Sequence, residues 1–269
     1  MEGVAVHKSV VVGKAGDRDL LGDLYLPTAA AGLRAAIVVV HGGGWRKGRP
    51  ESVRGFGELL GRAGIVCLLA DYRLTTEACW PAQIEDVKCA IRFLRASADS
   101  LEVDPERIGI VGDSAGGHLA LMAAVPCTFE GSGGHAAYSS KVAAVGSMYG
   151  PTRIDRGRAN HVALMGERAI DEDYDRASPI AYHLNDFPPC LLIHGVEDEA
   201  VPVSNSVDFH DRLNRLGRPV DLHLFPGLGH AFDRKTAEEG ARMVDVADPK
   251  SVYGRTVVRL IERFFGKHL

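Results

Sequence analysis

The stretch Arg107-Ile-Gly-Ile-Val-Gly-Asp-Ser-Ala-Gly-Gly-His118 constrains the fold of this 269-residue chain more than any other. Ile108 to Val111 is a short apolar run and reads as a buried strand. It leads into Gly112-Asp113-Ser114-Ala115-Gly116, a G-x-S-x-G pattern, and Leu119 to Ala124 follows as a buried helix. A strand that turns sharply into a helix around a serine needs its glycines for a steric reason. A side chain two positions to either side would collide with the adjoining strand or helix. The turn lifts the serine hydroxyl above the sheet. It also sets the Ala115 N–H at a helix N-terminus, where anionic oxygen is favoured. On its own the pattern equally suits a glycine-rich turn with an incidental serine. The rest of the chain has to supply a base, an acid and a second oxyanion donor.

A second glycine cluster meets part of that demand. Ala35 to Val40 is a continuous apolar run, as expected of a strand buried on both faces of a parallel sheet. It ends at His41-Gly42-Gly43-Gly44-Trp45, where three glycines expose unshielded backbone N–H groups. A phosphate loop would close on Gly-Lys-Ser/Thr, and a dinucleotide fingerprint would need glycine where Lys47 stands. Neither fits. An HGGG-type loop is the partner of the G-x-S-x-G elbow, and the two together are far more specific than either alone.

The remaining pattern gives the fold class. Val4 to Val12 and Leu20 to Leu26 read as an antiparallel hairpin at a sheet edge. Further strands are expected at Ile65 to Ala70, Val142 to Met148, Pro189 to Gly195 and Val220 to Phe225. Helices are expected at Glu51 to Arg62, Ile84 to Leu94, Ser206 to Leu216 and Ser251 to His268, with Glu85 and Lys88 pairing on an outer face. Asp104-Pro105 reads as the turn into the serine-bearing strand. This alternation predicts one α/β domain over residues 1–269, built on a mostly parallel, doubly wound sheet. Residues 151–181 are polar and read as a small cap-like insertion. Residues 233–250 give no clear pattern.

Composition narrows the function classes. Net charge is −4, from 31 basic and 35 acidic residues, with no basic block, so a nucleic-acid partner is not expected. The start shows no signal-peptide pattern and no stretch long enough to span a membrane, which suggests a cytoplasmic protein. Five cysteines, at 67, 79, 89, 127 and 190, lack C-x-x-C spacing, and Cys67 and Cys190 read as buried thiols. No H-e-x-x-H pair occurs, and neither a metal nor another cofactor is expected. The sequence assigns no oligomeric state.

A serine hydroxyl needs a base to take its proton and a carboxylate to orient that base. His230 lies in Pro226-Gly-Leu-Gly-His230-Ala-Phe232, after the last strand, and is the expected base. His41 and His194 end strands and read as turn braces, and His118 as a supporting residue one helical turn beyond Ser114. His135, His161 and His183 read as loop residues without a partner. Glu197, Asp198 and Glu199 all follow a strand end, and spacing alone does not separate them as the acid.

Together these residues resemble the α/β-hydrolase serine esterases with an HGGG loop. The chain is similar to the hormone-sensitive-lipase-like carboxylesterases, and more so to the compact BD-FAE-like group, which includes feruloyl and acetylxylan esterases and kynurenine formamidases. The resemblance rests on His41-Gly-Gly-Gly-Trp45, Asp71-Tyr-Arg-Leu74, Gly112-Asp-Ser-Ala-Gly-Gly-His118, His194-Gly-Val-Glu-Asp198 with Val201-Pro202, and Gly229-His230. It implies a triad of Ser114, Asp198 and His230, and an oxyanion hole from the N–H groups of Gly43, Gly44 and Ala115. Trp45, Val201 and Phe232 are expected to line the substrate pocket. Strand-like sequence begins almost at Met1, so the N-terminal cap helices of the larger lipase-like members are not expected here. The implied activity is hydrolysis of small-molecule esters, with small, aryl or acetyl esters favoured. An arylformamidase on the same triad and a non-catalytic binding protein on the same fold are the alternatives.

Overall fold

One sheet of eight strands organises the computed structural model, which describes residues 3–29, 32–126, 129–234 and 249–269. Strands β1 (Val4–Ala15) and β2 (Arg18–Pro27) form the expected hairpin at one edge, and β2 pairs antiparallel with β4 (Val66–Ala70). The rest is parallel: β3 (Arg34–Val40), β4, β5 (Val103–Asp113), β6 (Ala144–Met148), β7 (Cys190–Gly195) and β8 (Val220–Phe225). The spatial order is β1-β2-β4-β3-β5-β6-β7-β8. The helices are α1 (Arg54–Arg62), α2 (Ala82–Ala96), α3 (Ala98–Leu101), α4 (Ala115–Ala124), α5 (Ala159–Met165), α6 (Asp171–Arg176), α7 (Ser204–Arg215) and α8 (Pro249–His268).

Two hydrophobic cores explain why β3 is apolar at every position from Ala36 to Val40. Ala36, Val38 and Val40 pack with Ile84 and Ile91 of α2 and Leu119 of α4. Ile37 and Val39 face the other way and pack with Phe56 and Leu60 of α1 and with Ile261 and Phe265 of α8. Each such side chain removed from water contributes about 1.5–3 kcal/mol. A polar residue anywhere from Ala36 to Val40 would therefore cost one core or the other. Because β3 to β8 are parallel, their carboxyl ends share one sheet edge. Ligand-binding groups gather at that edge in open α/β sheets.

Two local expectations need correction. Asp104-Pro105 does not precede the serine-bearing strand but lies within β5. The pairing jumps there from Arg34↔Val103 to Ala36↔Ile108, and the Asp104 carboxylate accepts the Glu106 N–H at 3.0 Å. The turn chemistry is real, but it forms an irregularity that the β3 ladder bridges. Glu85 and Lys88 do not pair on an outer face. Glu85 meets Arg73 at 3.4 Å, while Lys88 is buried and meets Glu130 at 2.8 Å. Arg92, one turn further on, donates to the Glu130 carbonyl at 2.7 Å. Buried cations need a partner, and this one comes from the chain after α4.

Cys67 and Cys190 are buried free thiols, as expected, and Cys127 lies outside the described residues. Most of residues 233–250 also lies outside them. Among the described residues, no helix is long and apolar enough to cross a membrane.

Candidate active site

Five of the parallel strands deliver chemistry to the same edge. The loop after β3 carries His41 to Gly44, β5 ends at Ser114, β6 at Tyr149, β7 precedes Asp198, and β8 precedes His230.

Ser114 sits at φ 51°, ψ −117°, a conformation that L-residues seldom adopt. Its N–H donates to Met148 O at 2.8 Å, which ties the turn to β6. The flanking glycine is required by contact: a Cβ on Gly116 would lie 2.1 Å from the Val40 carbonyl oxygen. In the loop after β3, Gly43 and Gly44 have φ of +121° and +62°, and a Cβ on Gly43 would lie 2.0 Å from Lys47 O. The N–H groups of Gly43 and Gly44 donate to no described residue. Ala115 opens α4, so no carbonyl a turn back accepts its N–H. All three residues border one cleft with Ser114 and His230. These are unspent donors held around a hydroxyl, ready for an oxygen that gains negative charge.

His230 Nε2 is 2.9 Å from Ser114 Oγ, and His230 Nδ1 is 2.6 Å from Asp198 Oδ2. The other carboxylate oxygen, Oδ1, accepts the N–H groups of Ala200 at 2.9 Å and Val201 at 2.8 Å. His194 closes the arrangement from behind. Its Nε2 lies 2.9 Å from Val201 O and 3.3 Å from Asp198 Oδ2, and its Nδ1 lies 2.7 Å from Ser206 Oγ. A serine hydroxyl donating to Nδ1 leaves the ring hydrogen on Nε2, facing the carboxylate. Burial alone would raise the Asp198 pKa. The hydrogen bonds from His194, His230 and Val201 outweigh it and hold the carboxylate well below its ordinary range. Structure thus separates the three acids: Asp198 meets His230, whereas Glu197 and Glu199 are exposed.

The pocket expectations divide. Val201 borders the cleft, as expected. Trp45 borders it too, but only 2% of it is exposed, and its ring packs edge-on against His118 and His161. It braces the floor and offers little wall surface. Phe232 does not border the cleft. It is buried in the core behind His230, against Tyr149 and Phe225. The correction is one of direction: two residues past His230 the chain has turned back into the protein. His161 is not a loop residue. It lies in α5, buried, and accepts the Asp155 N–H at 3.1 Å. His118 is buried and bonds Ala177 O at 2.7 Å, joining α4 to the chain after α6.

Two residues of the site escaped the sequence reading. Asp113 is the variable residue of G-x-S-x-G, and its Oδ1 accepts the Gly42 N–H at 2.8 Å. It pins the loop of Gly42 to Gly44 to the serine turn. Tyr149 follows the end of β6, stands 4.8 Å ring to ring from His230, and donates its hydroxyl to Asp233 at 2.5 Å. A carboxylate at the end of an apolar strand and a tyrosine one residue past another strand end were the available signals.

Asp113 carries a testable pH dependence. Burial, then the nearby Asp233 carboxylate, push its pKa up to about 7 against the opposing Gly42 N–H. In the unfolded chain the group titrates near the ordinary aspartate value of about 3.9. The folded protein therefore binds this proton more tightly. The associated stability is fully present below the unfolded value and is lost as pH rises through about 7. Asparagine keeps an oxygen for Gly42 but does not ionise. Asp113→Asn is expected to gain on wild type by a few kcal/mol as pH rises from about 4 to about 8. Urea denaturation at stepped pH measures this, and a difference that stays flat across the range would contradict it.

Comparison with known proteins agrees with the geometry. A family model described as BD-FAE matches residues 22–213, a span that contains Ser114 and Asp198 and stops short of His230. The chain is 34% identical over 230 residues to Esterase LipC of Mycobacterium tuberculosis, covering 77% of this chain and 55% of that protein. It spans about half the length of the curated relatives that it matches first. A truncated carbohydrate esterase from gut microbiota superposes with a TM-score of 0.82 at 26% identity, covering 98% of this chain and 96% of that one. Thermogutta terrifontis esterase 2, solved phosphorylated by paraoxon, gives a TM-score of 0.82 at 26% identity, covering 99% and 95%.

Proposed function

The chain belongs to the BD-FAE family, and from that premise we propose that it hydrolyses carboxylic esters through an acyl-enzyme formed on Ser114. The observation that carries this reading is the unbroken relay from Ser114 Oγ to His230 at 2.9 Å and on to Asp198 at 2.6 Å. It opens on a cleft of about 1190 Å³. The esterase names of the relatives support it.

His230 takes the Ser114 proton through Nε2 as the serine oxygen attacks the ester carbonyl. Asp198 stabilises the imidazolium that forms and keeps the ring from turning. The carbonyl oxygen, now negative, is held by the N–H groups of Gly43, Gly44 and Ala115, each such donor being worth about 10²–10³ in turnover. The tetrahedral centre collapses, the ester C–O bond breaks, and His230 gives its proton to the departing alkoxide. Water enters, loses a proton to His230 and attacks the acyl carbonyl, and the acid leaves with Ser114 restored as a hydroxyl. In this reading residues 151–181 act as a small cap within a single domain, since Arg158 to His161 form one wall of the cleft. The substrates are small-molecule esters, with small acyl groups or aryl and acetyl esters preferred.

A p-nitrophenyl ester series from acetate to decanoate tests the proposal. Turnover is expected to be greatest at the short end. The absence of hydrolysis for every member would overturn it.

A further inference from the structure

The cleft has the wrong charge for this chain. The protein carries −4 overall, yet Arg46, Lys47, Arg49, Arg158 and Arg234 all border the cleft that holds Ser114. Among the described residues, Asp113 is the one carboxylate in its lining. That carboxyl is buried, is committed to Gly42, and has its pKa pushed up to about 7, so it offsets the five cations weakly. The cations come from three separate segments, so the clustering is a property of the cleft and not of one basic run. Arg46, Lys47 and Arg49 belong to the oxyanion loop and its continuation, Arg158 to the start of α5, and Arg234 to the loop that carries His230.

Their engagement differs. Arg46 and Lys47 are exposed and form no ion pair with a described residue. Arg49 meets Glu51 at 3.6 Å, a loose and solvated pair. Arg158 donates through Nη1 to Ala200 O at 2.6 Å, two residues beyond Asp198. That bond fixes the guanidinium against the loop of the acid and leaves its remaining N–H groups for another acceptor. A solvated cationic rim around a lower-dielectric cleft concentrates anions there, and guanidinium groups suit carboxylate, sulfate and phosphate geometry.

Resting on the esterase reading above, we propose that the substrate of this site is an ester carrying a negatively charged group, held by Arg46, Lys47 and Arg158 while Ser114 attacks the ester carbonyl. Arg49 and Arg234 extend the same field. The anionic group is a carboxylate, sulfate or phosphate, and it stands on either the acid or the alcohol side of the scissile bond.

Matched ester pairs test this. On the acid side the pair is p-nitrophenyl hemiglutarate against p-nitrophenyl pentanoate. On the alcohol side it is 4-acetoxybenzoate against 4-acetoxybenzamide. The readout is the ratio of kcat/KM, anionic over neutral, within each pair. We expect at least one pair to show a ratio of about 10 or more at low salt, falling several-fold in about 0.5 M NaCl as the field is screened. The double variant Arg46→Gln/Lys47→Gln, and separately Arg158→Gln, should lower that ratio by about 5-fold or more. The side of the bond that responds locates the anion. Ratios near or below one in both pairs, with the neutral esters hydrolysed, would overturn the proposal and leave the esterase reading intact. A preference that ignores both salt and the variants would overturn it as well. No hydrolysis of any of the four esters would remove the esterase reading and this inference with it.

Discussion

Ser114→Ala is expected to lower ester turnover by about 10⁴–10⁶-fold, the range seen when the nucleophile of such a relay is removed. The reason is geometric. Ser114 Oγ is the atom 2.9 Å from the imidazole, between the unspent N–H donors and the cleft. Alanine at this position leaves those donors and the cleft in place but supplies no oxygen to form the acyl-enzyme. Stopped hydrolysis of p-nitrophenyl acetate measures the loss, and activity within tenfold of wild type would exclude Ser114 as the nucleophile. A second readout does not depend on choosing a good ester. Paraoxon is expected to leave one diethylphosphoryl group on Ser114 of the wild type, located by peptide mass mapping, and none on the variant. Phosphorylation elsewhere with Ser114 unmodified would reassign the nucleophile.

Asp198→Asn should cost about 10⁴ in kcat, although it is the smallest change available at that position. The carboxylate is acceptor-only and meets donors on every side: Ala200 and Val201 N–H at Oδ1, His230 and His194 at Oδ2. An asparagine must place its NH₂ toward one of these sets. Turned to His230, it offers a hydrogen where Nδ1–H already has one. The imidazole then shifts its hydrogen to Nε2 and no longer accepts from Ser114. Turned to the backbone, it faces two N–H groups and opens the loop that positions residue 198. Either way the base is lost while the ester still fits, so the fall should appear in kcat with KM little changed. A loss of less than tenfold would show that another group orients His230. The same change should weaken the protein at neutral pH. The lowered pKa of Asp198 contributes stability that is present above the unfolded value and lost as pH falls through the folded one, and the amide contributes none of it.

Much of this site was readable from local pattern. The serine turn and the three glycines after His41 each follow an apolar run that ends abruptly, and His230 lies in a glycine-rich loop after the last strand. In a parallel sheet, such ends share one edge by topology. A short apolar run, such as Ile108 to Val111 or Ala35 to Val40, carries that signal within itself, so the fold class and the elbow needed no long-range information. Asp198 marks the limit. Three consecutive positions carry carboxylates, and spacing treats them alike. The choice falls to Asp198 because His194 and His230 converge on it from β7 and the loop after β8. Phe232 and His161 were misread for the same reason. Whether a side chain faces a cleft or a core depends on where the chain turns, and the turn after His230 is set by packing against Tyr149 and Phe225.

What the sequence determined by itself was the order of elements, the strand ends that bear polar groups, and the choice of Ser114 and His230 as the pair proposed to act there. Those follow from periodicity and from the steric demands of a few glycines, which act over a handful of residues. Only the tertiary structure decided which carboxylate meets His230, that Asp113 ties the Gly42 to Gly44 loop to the serine turn, and that Lys88 is buried against Glu130. It alone gathered cations from three segments around Ser114 in a chain of net negative charge. Burial and electrostatic partnership are properties of groups tens of residues apart, and they exist only once the sheet has brought those groups together.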